Sequence, residues 1–168
     1  FNLIAQFTDT DLVRAGYAPF NVYEIDCKLY VTFAKSNIRC PLVGGGGDTD
    51  VPGIGNGYID VFDLHGALLD RFTSRGPLNS PWGMAELRVC KHKHLYRYLL
   101  VGNAGDGIIN IYNLKTKKYI TNLKSNGEGT LVADRLWSII LHFESDLLYT
   151  SGAESGSHGI YGVFKNVE

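Results

Sequence analysis

The chain has 168 residues, of which 45% are apolar and 12% aromatic, and its 16 basic and 17 acidic residues leave a formal net charge of −1. This balance argues against a general nucleic-acid or acidic-membrane binder, which needs net positive charge or a large basic patch. The apolar content excludes wholesale disorder, no apolar run reaches the ~20 residues of a membrane-spanning helix, and no signal-peptide pattern is present.

The first predicted element, Leu3–Phe7, is an apolar phrase that recurs at Leu68–Phe72 and Tyr119–Leu123. Three further phrases recur in a constant order after it. The first occupies residues 18–22, 80–84 and 135–139, the second 28–32, 98–102 and 146–150, and the third 57–62, 107–112 and 159–164. Each phrase is short, rich in β-branched and aromatic residues and bounded by Gly, Asn, Asp or Pro, which predicts strands.

Four strands in each ~50 residues are typical of one blade of a β-propeller. If the strands of a blade are named A to D from the inside outward, the chain runs D, ABCD, ABCD, ABC. No window shows the 3.6-residue period of an amphipathic helix. We therefore predict an all-β fold in which residues 1–168 form a single β-propeller segment of about three four-stranded blades. A ring needs ~4 to 8 blades, so we also expect self-association or a missing N-terminal half to complete it.

The strand order sorts the connections into two groups. In an antiparallel blade the D-to-A and B-to-C connections emerge at one end, which we call the loop end, and the remaining turns emerge at the other, which we call the turn end. The predicted loop end is rich in Asp, Asn and Gly, whereas the predicted turn end is mainly basic. Because loops on a rigid scaffold commonly carry function, we expect the functional site at the loop end.

The longest predicted loop-end connection is Gly44–Gly57, with the sequence GGGGDTDVPGIGNG. Alternating carboxylates, together with the carbonyl groups of a Gly-rich backbone, are suitable ligands for a hard cation. We therefore predict a calcium site at Asp48 and Asp50, with a plain flexible loop as the alternative. The glycines do not indicate a dinucleotide site, because this loop opens a strand rather than a helix.

Two other loop-end connections carry candidate ligand-binding side chains. Asn103 and Asp106 lie in VGNAGDG, and Glu154 and His158 lie in SGAESGSHG. A tight turn explains the first pair equally well, and capping of a strand end explains the second. Neither serine of the second loop fits the Gly-x-Ser-x-Gly pattern of a nucleophile elbow.

A third polar segment, RVCKHKHLYR, lies at the predicted turn end. If it is extended, Cys90, His92 and His94 project to one side and could hold zinc or copper; a solvated turn is the alternative. The other two cysteines are Cys27 and Cys40, so at most one internal disulfide can form, and the sequence does not choose its pair.

The chain resembles the C-terminal half of the NHL-like six-bladed β-propeller family in the runs AGYAPFNV, KLYVTFAK, GNGYIDVFDLHGALLDRFTSRGPLNSPWGMA, LLVGNAGDGIINIYN and LYTSGAESGSHGIYG. This family is largely uncharacterised and known mostly from secreted bacterial proteins, often with a PEP-CTERM-type tail. The resemblance implies a propeller fold and an extracellular or cell-surface location, and it implies no particular reaction. The chain departs from the family pattern at Cys40 and Gly44–Gly47, where relatives have a charged loop.

These observations predict an extracellular binding or interaction module whose ligand is a glycan or a protein. The expected ligand surface comprises Asp48, Asp50, Asn103, Asp106, Glu154 and His158, and no residue is assigned as catalytic. One alternative is a metal-assisted hydrolase or lyase with its site at the mouth of the propeller channel. A second alternative is a purely structural or assembly protein.

Overall fold

The computed structural model describes residues 2–3, 5–37, 49–125, 129–142, 145–152, 154 and 158–167. In this part of the chain a short helix precedes twelve strands, which form three antiparallel sheets, so the all-β prediction is confirmed. The elements are α1 (Thr10–Arg14), β1 (Tyr17–Ile25), β2 (Lys28–Asn37), β3 (Thr49–Asp50), β4 (Gly57–Asp63), β5 (Leu68–Ser74), β6 (Pro81–Lys91), β7 (His94–Asn103), β8 (Ile109–Asn113), β9 (Tyr119–Asn122), β10 (Leu136–His142), β11 (Asp146–Gly152) and β12 (His158–Phe164). Among the described residues, no helix is long and apolar enough to cross a membrane.

The first compact unit, Phe1–Ser80, contains one antiparallel sheet with the strand order β1-β2-β4-β5. The two-residue strand β3 pairs with the end of β2. A two-residue turn at Asp26 and Cys27 joins β1 to β2, and the positive φ angles of both residues, 52° and 58°, match the hairpin turn that suits twisted strands. Phe33 and Phe62 are fully buried in a core that α1 completes with Leu12.

The second compact unit, Pro81–Glu168, contains two antiparallel sheets with the orders β6-β7-β8-β9 and β10-β11-β12. The two sheets share one apolar core, in which Leu100 comes from the former and Leu136 from the latter. Their first strands, β6 and β10, approach closely at Gly83, where an added Cβ would lie 2.8 Å from the backbone nitrogen of Ile139. Glycine is therefore the residue that allows these two strands to pack together.

The first strand of every sheet is interrupted by a β-bulge at the same position of the repeat. The extra residue is Phe20 in β1 and Trp137 in β10, and the register of β6 shifts across Trp82 and Gly83. A bulge bends a strand and redirects its side chains. An aromatic residue therefore recurs at the bulge of each first strand, and all three of these rings are half-buried at the loop end of their sheets.

The connections at the loop end are tied to each other by backbone hydrogen bonds. In the first unit Gly55, which precedes β4, donates its N–H to the carbonyl of Leu78, which follows β5, at 2.7 Å. In the second unit the corresponding segments meet where Ala133 donates its N–H to the carbonyl of Gly107 at 2.9 Å. In both units, therefore, the loop before the third strand of the sheet order (β4 or β8) is held against the segment after the fourth (β5 or β9).

The structure differs from the prediction at the opening segment, Leu3–Phe7, whose described residues lie in no strand. A strand needs a neighbour that accepts and donates its backbone hydrogen bonds, and the described residues offer none to this segment. Side-chain contacts hold the segment instead, because the ring of Phe7 lies 5.7 Å from the ring of Phe62. Strand propensity alone therefore gave the wrong local structure here.

We expect Gly107→Ala to destabilise the protein by about 2–4 kcal/mol. Gly107 has a φ of 71°, which costs a residue with a Cβ ~1–2 kcal/mol, and the added methyl group would overlap the carbonyl of Ala133. The matched control is Gly159→Ala, since an added Cβ there meets nothing within 4 Å and a change below ~0.5 kcal/mol is expected. Urea denaturation checks both variants, and equal losses of stability would contradict the docked-loop geometry.

Candidate functional site

The loop end of the first sheet carries four side chains that we call the cation–aromatic row: Lys35, Tyr17, Tyr58 and Arg75. Tyr17 begins β1 and pairs with Lys35 near the end of β2. Tyr58 lies at the start of β4, and Arg75 directly follows β5. Because neighbouring strands are antiparallel, the start of one strand lies beside the end of the next, at the same end of the sheet. The topology therefore brings all four side chains to the loop end.

The row alternates positive charge with aromatic faces. The Lys35 ammonium lies 4.9 Å from the centroid of the Tyr17 ring, and the rings of Tyr17 and Tyr58 meet edge to face at 4.7 Å. Arg75 lies 6.0 Å from the Tyr58 ring and donates from Nε to the Tyr58 hydroxyl at 2.9 Å. Both tyrosines are buried, Lys35 is half-buried and Arg75 is exposed. Burial, reinforced by Tyr58, raises the pKa of Tyr17, so its hydroxyl is neutral at physiological pH.

Arg71 of β5 connects two buried carboxylates beside this row. It donates from Nε to Asp60 at 2.7 Å and from Nη2 to both Asp60 and Asp9, and its guanidinium lies 5.1 Å from the Tyr58 ring. Asp60 is fully buried and Asp9 is 6% exposed. The other oxygen of Asp9 accepts from the first backbone N–H groups of α1, at Asp11 and Leu12, so Asp9 is also the helix N-cap. Arg71 therefore links the N-terminus of α1, through Asp9, to β4, through Asp60.

The two carboxyl groups respond differently to this environment. Burial raises the pKa of Asp60 and the adjacent Asp9 raises it further, although Arg71 opposes both effects. Burial also acts against ionisation of Asp9, but hydrogen bonds from the helix backbone and from Asp60, together with the charge of Arg71, outweigh it and lower the pKa of Asp9. The hydrogen bond to Asp60 raises the pKa of Arg71. The negative charge is thus best supported on Asp9, at the N-terminus of the helix.

The second sheet has a neutral pair where the first has this charged pair. Asp60 faces Arg71 across β4 and β5, and Asn110 faces Asn122 at the corresponding positions of β8 and β9. Asp60 and Asn110 are both buried. The first two sheets therefore both keep a buried polar residue in the third strand, and the first sheet pairs it with a charged partner, whereas the third sheet has Gly162 at this position.

The residues that the sequence predicts as a ligand surface lie in different strands and connections of the structure. Asp48 lies outside the described residues, so calcium binding by Asp48 and Asp50 stays a prediction. Asp50 is half-buried in β3, where its backbone pairs with Ser36. The described part of the chain contains no group of three or more His, Cys, Asp or Glu side chains that could hold a metal ion.

Asn103 and Asp106 come together in the turn between β7 and β8. The Asn103 amide lies 3.5 Å from the carboxylate of Asp106, whose other oxygen accepts from the N–H of Ile108 at 3.1 Å. Asn103 is fully buried, and its carbonyl accepts from the N–H of Gly107 at 3.0 Å. These contacts give both side chains a role in shaping the turn. Ligand binding by this pair stays a prediction.

Glu154 and His158 also come together, at the start of β12. Nδ1 of His158 lies 3.1 Å from a carboxylate oxygen of Glu154, and both side chains are mostly exposed, at 70% and 75% respectively. An exposed pair of this kind contributes ~0–1 kcal/mol to stability. Its exposure keeps both groups accessible to a ligand.

The turn-end segment RVCKHKHLYR forms a hairpin and not the extended run on which the metal hypothesis depends. Cys90 lies in β6, His92 and Lys93 form the turn with φ angles of 50° and 63°, and His94 begins β7. The alternation that would place the three candidate ligands on one side is therefore interrupted. Cys90 and Cys27 are exposed free thiols.

Sequence reasoning missed Tyr17, Tyr58 and Arg71. One signal was available: Asp60 interrupts the apolar phrase GYIDVF at a position that strand alternation buries, and a buried carboxylate requires a partner. The identity of that partner was not readable, because Arg71 lies on another strand and Asp9 lies 62 residues from Arg71 along the chain. The tyrosines resembled ordinary strand residues.

No protein-family model matches the chain. The chain is similar to three proteins of Acanthamoeba polyphaga mimivirus. Uncharacterized protein L690 is 33% identical and uncharacterized protein R648 is 31% identical; each match covers 91% of this chain, and 39% and 37% of the relative respectively. Uncharacterized protein R640 is 32% identical over 77% of this chain and 24% of its own length. The chain thus spans less than two fifths of the length of each of these relatives.

We expect Arg71→Asn to destabilise the protein by about 2–4 kcal/mol at neutral pH, because it leaves the buried carboxylate of Asp60 without its counter-charge. Adding Asp60→Asn reproduces the Asn110–Asn122 pair of the second sheet and should restore at least about half of the loss. The control is Arg88→Asn. Arg88 is 60% exposed, and its partner Glu86 keeps Arg97 at 2.5 Å, so a loss below ~1 kcal/mol is expected. Equal losses for Arg71→Asn and Arg88→Asn in urea denaturation would rule out a special role for Arg71.

Proposed function

We propose that the chain is a binding module of the NHL-like β-propeller type that takes its ligand at the loop end of its sheets. The observation that carries this proposal is the repeated β-bulge, which gives each first strand a half-buried aromatic side chain at that end: Phe20, Trp82 and Trp137. Bulges are over-represented next to binding sites because they redirect a side chain while the strand stays anchored.

The surroundings of these aromatic residues suit a polar ligand. Binding sites combine aromatic faces with a few fixed polar groups that determine orientation. In the first sheet the fixed groups are Lys35 and Arg75. Lys35 lies over the Tyr17 ring and donates from Nζ to the carbonyl of Ala15 at 2.6 Å, and Arg75 donates to the Tyr58 hydroxyl. Arg75 uses one N–H for the tyrosine hydroxyl and has four more, which favour a carboxylate or a sulfate. We therefore propose a glycan that carries acidic groups as the ligand.

The propeller part of this proposal is supported by the repeat and by packing in the second unit. Each sheet orders its strands as they follow in sequence, and the first strands β6 and β10 pack together at Gly83. Such contact between first strands is what adjacent blades of a propeller require. The extracellular location implied by the resemblance stays a prediction.

A glycan array that includes neutral and acidic sugars tests this function directly. Isothermal titration calorimetry then measures the affinity for each glycan that binds. We expect Phe20→Leu, in the same sheet as Lys35 and Arg75, to weaken binding by about tenfold or more, as removal of a central aromatic contact does. We expect Lys35→Ala with Arg75→Ala to weaken binding of acidic glycans selectively.

The matched control is Tyr96→Leu, since Tyr96 is a 42% exposed aromatic residue near the turn end. It should leave affinity unchanged. A wild-type protein that binds no glycan on the array would refute the proposed ligand class. Glycan binding that is weakened by Tyr96→Leu and not by Phe20→Leu would show that the site does not lie at the loop end of the first sheet.

A further inference from the structure

The first hairpin of the second sheet extends beyond the rest of that sheet. Strands β6 and β7 stay paired up to their connecting turn, whereas β8 pairs with β7 only from Tyr98 onward. Residues 88–91 and 94–97 therefore form a two-stranded ribbon, which reaches about 14 Å past the pairing of β8 at the ~3.4 Å rise of antiparallel strands. In the first sheet, by contrast, β4 pairs with β2 as far as Lys28, the first residue of β2.

Both turns at this end of the second sheet are basic. The two turns are neighbours, because the N–H of Leu114 donates to the carbonyl of Arg97 at the base of the ribbon, at 3.1 Å. The exposed residues of the ribbon tip include Lys91, His92, Lys93 and His94, and those of the turn from β8 to β9 include Lys115, Lys117 and Lys118. We call the five lysines of these two turns the lysine surface.

The lysine surface is a local surplus of positive charge. No Asp or Glu occurs in residues 87–105 or 107–127 of the sequence. Glu86, which precedes the ribbon, accepts hydrogen bonds from Arg88 at 2.9 Å and from Arg97 at 2.5 Å. The turns of the first sheet differ, because they include Asp26 and Asp63. The formal net charge of −1 therefore conceals a basic surface that belongs to the second sheet and not to the repeat.

The backbone that carries these lysines has a defined geometry. Asn113 donates its N–H to the carbonyl of Lys118 at 2.9 Å, and its side-chain oxygen accepts from the N–H of Lys115 at 3.0 Å. Lys93 and Lys117 have φ angles of 63° and 60°, which Gly or Asn adopts at lower cost. At both positions the sequence therefore has a positive charge where the turn geometry alone favours another residue.

An exposed pair of apolar and aromatic side chains directly follows each basic turn. Leu95 and Tyr96 are 57% and 42% exposed, and Tyr119 and Ile120 are 42% and 48% exposed. Lysines beside exposed aliphatic and aromatic side chains are typical of surfaces that lie in a membrane interface. Lysine as the cation of both turns agrees with this, because Arg is preferred where a carboxylate or phosphate is bound in a fixed bidentate geometry.

We propose that the lysine surface docks the chain on a bilayer that contains anionic lipids, with Leu95 and Tyr96 at the level of the lipid headgroups. Such a bilayer presents a diffuse negative charge, which suits flexible lysines, and an apolar region, which suits Leu95 and Ile120. A nucleic acid would match the charge but would give the two aliphatic side chains no apolar region to enter. The surface lies at the opposite end of the second sheet from Trp82, so docking does not depend on glycan binding at the loop end.

Co-sedimentation with lipid vesicles tests the proposal on the 168-residue chain. The wild type should bind vesicles of phosphatidylcholine mixed with phosphatidylserine and not vesicles of phosphatidylcholine alone. Raising the salt from ~0.1 M to ~1 M should reduce binding, because salt screens the charges. Lys93→Asn with Lys117→Asn should weaken binding by about tenfold or more, and Asn suits the positive φ at both positions, so the turns are retained. Leu95→Ser should weaken binding by about threefold or more.

The matched control is Arg14→Gln with Lys124→Gln, which removes the same charge from two exposed side chains outside the turn end. It should change vesicle binding by less than about twofold. Equal binding of the wild type to both kinds of vesicle would overturn the proposal, and so would a control that loses as much binding as the lysine variant. A wild type that binds duplex DNA and no vesicles would also overturn it, by assigning the surface to nucleic acid.

Discussion

The backbone pairing at the loop end is the constraint on which the rest of the structure depends. In both units the loop before the third strand is held against the segment after the fourth, through Gly55 and Leu78 in one and Gly107 and Ala133 in the other. Loops often carry functional residues, and they are usually more mobile than the strands that they connect. Here the hydrogen bonds are made between loops, so the loop end has fixed geometry without an additional strand. Asn79 adds a side-chain contact of the same kind, because its carbonyl oxygen accepts from the N–H of Gly53 at 2.6 Å.

The fixed loop end explains how one repeated scaffold presents different chemistry in different sheets. The bulge recurs in every first strand, whereas the charged groups around it do not: the first sheet places Arg71 between Asp9 and Asp60, and the second uses asparagines. Because each sheet matches its own polar residues across the third and fourth strands, one sheet can hold Asp60 with Arg71 and the other Asn110 with Asn122. The binding function proposed for the chain uses that freedom, with the aromatic residue common to all sheets and the cations specific to one.

Sequence periodicity was sufficient for the fold class, the strand order and the two ends of the sheets, because alternation and turn residues are local signals. It was insufficient for the bulges at Phe20 and Trp137, since a one-residue shift of register leaves no trace in composition. It also failed at Leu3–Phe7, where local propensity predicts a strand and the described chain supplies no neighbour to pair with. The contacts of Arg71 depend on residues that only the folded chain brings together.

Hydrogen–deuterium exchange resolved to single amides tests the docked loop end most directly. The amides of Gly55 and Ala133 belong to connections and donate to carbonyl groups of other connections. We predict that both exchange as slowly as amides in the centres of β2 and β7, because local opening would have to break the loop pairing first. Exchange at the fast rates of an ordinary exposed turn, such as that at His92 and Lys93, would contradict the claim that the loop end is rigid.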